Sequence, residues 1–181
     1  LASEDRDYVT SVDTKHVSVG QGAVVMAVAN WLKEHPDATV EEAAEQAKRF
    51  SEKCNMCFVP HNLDYLRAGG RVSNVVALTG NLLNLHPCIE ILDGKLMAKK
   101  KYRGKFEKLI PKLLEEYSEA HDLDKEHITL IDTPYLDASL KALAEESAKN
   151  LGFRSVNWMK TGCVITCHGG PKAFGIVGFS K

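Results

Sequence analysis

No apolar run in the 181 residues approaches the roughly 18 needed to cross a bilayer. No basic opening leads into an apolar signal segment either. Neither sign of charge is in excess: 23 Lys and Arg face 24 Asp and Glu, for a net charge of −1. That balance argues against the broad basic footprint of a nucleic-acid binder and against an anionic membrane surface as partner. Repeats and low-complexity tracts are absent. A hydrophobic content of 44% excludes disorder as the main character. A chain this long forms one domain, or two small ones sharing an interface, and buries roughly two thirds of its unfolded surface. The expectation is a soluble, cytoplasmic protein with no integral membrane segment and no nucleic-acid partner.

Cysteine is scarce and odd in number, at positions 54, 57, 88, 163 and 167. A chain with this much core needs no disulfide scaffold, so reduced thiols are the default. Cys54-Asn-Met-Cys57 has the spacing of a redox or half-zinc motif, but no second pair of Cys or His stands at ligand spacing. Cys163 and Cys167 lie in an apolar, strand-like context. All five are expected as buried small hydrophobes, with no metal site.

Two further motifs are missing. Without G-x-x-x-x-G-K-[ST] there is no phosphate loop of the common kind. Without G-x-S-x-G, the His-Gly-Gly run at 168–170 cannot serve a hydrolase oxyanion loop.

What is present reads as alternating elements. Residues 8–12 are strand-like, and a loop with Gly20 and Gly22 follows. Residues 23–33 read as a helix with Val24, Val25, Val28, Trp31 and Leu32 on one side. Thr39 and Glu42 form a capping box for a second helix, and residues 56–59 are a short buried strand ended by Pro60. Gly69-Gly70 breaks a short helical turn, and an apolar helix is expected over 75–83. A hairpin with arms 87–92 and 95–102 turns at Asp93-Gly94. Phe106, Leu109, Ile110, Leu113, Leu114 and Tyr117 predict an amphipathic helix that Pro111 kinks or starts. Strands at 128–131, 155–159 and 174–179 and a helix around 136–151 complete the chain. The fold class is α/β: residues 1–75 as the remnant of a parallel-sheet lobe, residues 76–181 as a smaller mixed-sheet lobe.

Three clusters carry chemistry on their own residues. His168-Gly169-Gly170 lets the backbone approach a ligand closely, or is a tight turn between strands. Arg71 after the double glycine offers one guanidinium to a carboxylate or phosphate, or is a surface arginine. Lys99 to Lys105 holds five basic residues in seven positions, a docking patch for an acidic partner or a solvated strand end.

In order along the chain, these motifs resemble the DegV family, the bacterial fatty-acid-binding proteins that serve as the lipid-carrying subunit of fatty acid kinase. Val12-Asp13-Thr14 with Ser18, Gly20 and Gly22 is similar to V-D-S-x-x-x-S-x-G-x-G. Residues 63–73 resemble L-x-Y-L-x-x-G-G-R-[IV]-S, and residues 82–87 resemble L-L-N-I-K-P. Lys101-Tyr102-Arg103 stands at the family's K-x-R. His168-Gly169-Gly170-Pro171 resembles H-x-G-P-G-A, with Lys172 in place of the second of that motif's glycines. The family's opening strand and its Ser-Gly-Thr loop, whose hydroxyls hold the carboxylate, have no counterpart. Exposed apolar surface at Val24, Val25, Val28 and 9–12, and self-association through it, are therefore expected.

The resemblance implies a buried long-chain fatty acid with its carboxylate at a lobe interface. It implies Arg71 and His168 as carboxylate ligands, Ser18, Gly169 and Gly170 as loop contacts, and Arg103 as the docking point for a separate ATP-dependent kinase. It implies no catalytic residue and no cofactor in this chain. The alternative is a small phosphotransferase or nucleotide-binding enzyme using the Gly20-Gly22 loop.

Overall fold

A computed structural model describes residues 9–71, 85–92 and 94–181. Six strands form one mixed sheet in the order β3-β2-β1-β6-β4-β5. They are β1 (Cys54–Val59), β2 (Leu85–Leu92), β3 (Lys95–Arg103), β4 (His127–Asp132), β5 (Ser155–Lys160) and β6 (Phe174–Phe179). Only β4 and β5 run parallel. The helices are α1 (Ser18–Glu34), α2 (Val40–Lys53), α3 (Asp64–Ala68), α4 (Phe106–Ala120), α5 (Ala138–Asn150) and α6 (Cys163–Gly169).

Alternation along the strands sends side chains to two cores. Cys57 and Val59 of β1, Leu130 of β4 and Ile176 of β6 face α4 and α5. Met56 of β1, Ile131 of β4 and Val177 of β6 face α1. The large apolar side chains of α4 lie on its sheet side, and Leu109, Ile110, Leu113 and Leu114 are buried. Pro111 sits inside α4 rather than in its first turn. The capping box of α2 is formed: Glu42 N–H donates to Thr39 Oγ1 (3.2 Å) and Thr39 N–H donates to the Glu42 carboxylate (2.8 Å).

β1 came from the first of the two expected lobes, yet it is hydrogen-bonded between β2 and β6. Strand pairing therefore joins both halves of the chain in one sheet; the expected boundary at 75 and the helix at 75–83 lie outside the described residues. Residues 9–12 are not a strand, for no neighbouring strand pairs with them among the described residues. The helix expected at 23–33 begins five residues earlier, so Gly20 and Gly22 belong to α1 instead of a phosphate-cradling loop. Gly20 is buried there, and a Cβ in its place would meet Met56 Sδ at 3.0 Å.

The cysteines divide. Cys54, Cys57 and Cys88 are buried and free, while Cys163 and Cys167 are exposed on α6, against the expectation of five buried thiols. Three residues apart on a strand, Cys54 and Cys57 point to opposite faces of the sheet, so their spacing does not bring the thiols together. Burial pushes the Cys54 thiol up to about 12.

Candidate functional site

On the α1 face of the sheet lies a largely apolar pocket of about 440 Å³. Met56 and Phe58 of β1, Ile91 of β2, Leu96 of β3, Ile131 of β4 and Gly175 of β6 build its floor. α3 and α6, which pack on each other, and the start of α1 enclose it. The volume lies within the usual range for small-molecule sites.

Arg71, His168 and Thr133 stand at the end where β1 stops and the chain turns through α3, and Lys15 and His16 line the other end. α3 ends at Gly69, and Gly70 takes a left-handed φ of +69° that reverses the chain and delivers Arg71 to the pocket rim. The Arg71 guanidinium donates from Nη1 to the carbonyl of Gly69 at 2.7 Å, which holds it over that rim. From α6, His168 enters the same pocket with Gly169. His168 Nδ1 is buried against Gly69 and makes no hydrogen bond among the described residues, so Nε2 is the ring nitrogen open to a ligand. Ser18, at the first position of α1, also lines the pocket. No side chain caps α1 and no acidic residue occupies its first turn, so its N–H groups add positive potential to the pocket wall beside Met56.

Arg71, His168, Ser18 and Gly169 thus share one pocket, and Gly170 and Arg103 stand elsewhere. Gly170 has a φ of +76° and packs under Tyr65, whose Cδ2 would lie 2.8 Å from a Cβ at that position. Arg103 is exposed at the end of the edge strand β3. Lys172, where the related motif carries glycine, keeps a left-handed φ of +60°. Its N–H donates to the Pro134 carbonyl at 2.9 Å, so this left-handed turn is held on a non-glycine residue.

Sequence reasoning missed other polar residues of the pocket, Thr133 and His16 among them. Thr133 follows β4, and its Oγ1 accepts from Ala173 N–H at 2.8 Å while the residue lines the pocket. Its signal is its place just past the carboxyl end of a strand, where ligands of α/β sheets gather. His16 precedes α1, with Nε2 at 3.1 Å from the Ser51 carbonyl. Nothing in the sequence distinguishes it from the other loop residues.

A second cavity, about 550 Å³, opens on the opposite side between the starts of α4 and α5. It holds His61, His86 and Phe106, whose rings stack edge to face or tilted, and charges of both signs, including Asp64, Arg67, Glu107 and Lys172. An acyl chain fits it poorly. Burial lowers the pKa of His86, and nearby His61 lowers it further, against the pull of the Pro60 and Gly104 carbonyls.

The DegV family model matches residues 1–181. A fatty acid-binding protein of Thermotoga maritima is 32% identical over 184 positions, covering 99% of this chain and 61% of its own. A DegV family protein from Thermus thermophilus, whose structure is described as fatty acid binding, superposes with a TM-score of 0.83 at 26% identity. That match covers 98% of this chain and 63% of the other. The fatty acid kinase B3 protein of Streptococcus pneumoniae, loaded with linoleic acid, superposes with a TM-score of 0.72 over 88% of this chain and 55% of its own. At 19% identity that last likeness is one of fold alone. The chain spans about three fifths of the length of the curated relatives it matches.

Proposed function

This chain belongs to the DegV family, and on that premise we propose that it binds a long-chain fatty acid in the α1-side pocket and presents the carboxylate to a separate ATP-dependent kinase. The observation that carries the reading is the pocket's polarity: an apolar floor from Met56, Phe58 and Ile131, with His168 and Arg71 at one end. Such a cavity suits one charged head on a long apolar tail. Each buried methylene contributes about 0.8 kcal/mol, so a long chain binds firmly without covalent chemistry. The head requires donors, because a buried unpaired carboxylate is costly. Arg71 supplies a charge-assisted hydrogen bond, and His168 donates from Nε2 as the neutral tautomer or as a cation.

In this account the chain contributes no catalytic residue and no cofactor. The kinase transfers the terminal phosphoryl group of ATP to a carboxylate oxygen, giving an acyl phosphate and ADP. Arg103, exposed on the edge strand, docks the kinase, where a rim charge governs on-rate and partner choice more than stability.

Fatty-acid displacement measurements on Arg71→Ala and His168→Ala test the reading. Each is expected to weaken binding by about 1–3 kcal/mol, the cost of an unsatisfied acceptor, and Arg103→Ala is expected to bind normally yet slow acyl phosphorylation when kinase and ATP are supplied. Unchanged affinity in both pocket variants would remove the carboxylate site. An unmodified phosphorylation rate across kinase concentrations would leave Arg103 a surface charge.

A further inference from the structure

The pocket does not end blindly. Lys15, His16, Met56 and Ile91 line it, and the same four residues line a second cleft of about 280 Å³ on their far side. The cleft has a plain cause in the sheet. β1 and β2 pair only at Cys57 with Glu90 and Phe58 with Ile89. Toward the start of β1 the two strands diverge, and Cys54, Asn55 and Met56 face Ile91 and Leu92 across the opening.

Direction follows from the strand. The carboxylate groups, Arg71 and His168, stand beyond the carboxyl end of β1. Phe58 and then Met56 lie successively further back along the same face, with the cleft past Met56. A ligand with its head at Arg71 runs its tail toward Met56. His16 forms the fixed half of the wall there, tied by Nε2 to the Ser51 carbonyl of α2. Met56 forms the yielding half: its thioether packs under Gly20, and methionine adapts more readily than any branched side chain.

We propose that Met56, backed by His16, is the stop against which the far end of the acyl chain rests, and that it sets the chain length this protein accepts. The proposal rests on the fatty-acid reading above and adds its specificity determinant.

The test is a displacement series with saturated fatty acids of increasing length against the unmodified protein, Met56→Ala, Met56→Phe and the near-isosteric Met56→Leu. Met56→Ala joins the pocket to the cleft, so its preferred length is expected to increase. Each extra methylene that enters should raise affinity about fourfold, the equivalent of about 0.8 kcal/mol. Met56→Phe is expected to shift the preference to shorter chains, and Met56→Leu to leave it in place. Should Met56→Ala fail to melt cooperatively, Met56→Phe alone decides. An identical length profile in all folded variants overturns the stop. If the unmodified protein binds no fatty acid of any length, the functional reading falls and the stop with it.

Discussion

The ring of His168 rests on the backbone of Gly69: a Cβ built at position 69 would overlap Nδ1 and come within 2.9 Å of Cε1. Residues 99 positions apart are thereby fitted to each other, and the fit brings two separate glycine-rich motifs side by side. Arg71 bonds the carbonyl of the same glycine. Gly69 is the pivot on which both proposed carboxylate ligands are set.

Gly69 has an ordinary φ of −79°, so alanine there meets no backbone strain. Gly69→Ala should therefore fold with a near-normal melting temperature yet lose roughly tenfold or more in fatty-acid affinity, because His168 must swing away; a loss of that size corresponds to about 1.4 kcal/mol. Gly70→Ala is the contrast. Its φ of +69° is a left-handed conformation, and the substitution should cost about 1–2 kcal/mol of stability. Thermal melts and binding isotherms on the two variants separate the effects. Equal affinity for Gly69→Ala and the unmodified protein would dissolve the pivot.

Lys172 holds a left-handed backbone without being glycine. Lys172→Gly relieves about 1–2 kcal/mol of strain and gives back roughly 0.5–1 kcal/mol through the freer unfolded chain. A net gain near 0.5–1 kcal/mol should raise the melting temperature by about 1–4 °C. A lower melting temperature would mean that the lysine side chain contributes more than its backbone costs.

His86 titrates below its ordinary value, with burial as the largest cause. The folded protein then binds fewer protons than the unfolded chain between the lowered pKa and about 6.5, so stability rises with pH across that window. As pH falls through about 6.5 the melting temperature should drop, and this part of the loss should level off below the lowered pKa. His86→Asn should flatten that part of the profile. A slope identical in the variant would assign it to other groups.

Much of the fold was legible because it is local. The Thr39–Glu42 box, the hairpin of β2 and β3, and the stripe of α4 are each specified within a few residues. Where the reading failed, the deciding contact was distant. Residues 9–12 have the pattern of a strand, but pairing requires a neighbour that local sequence cannot supply. Val164-Ile165-Thr166 reads as β-branched strand, yet the segment is helical, with Thr166 N–H donating to the Gly162 carbonyl at 3.1 Å, where it packs on α3. That Arg71 and His168 share a pocket was legible, each being carried by a glycine motif. Its floor was not: Met56, Ile131 and Gly175 become neighbours only through the order β1-β6-β4.

The central claim is the identity of the ligand, and mass spectrometry of small molecules extracted from the purified protein tests it most directly. The account predicts long-chain fatty acid in near-stoichiometric amount, depleted in protein carrying both Arg71→Ala and His168→Ala. Recovery of a nucleotide, or of no lipid from a well-folded preparation that also fails to take up added fatty acid, would contradict it.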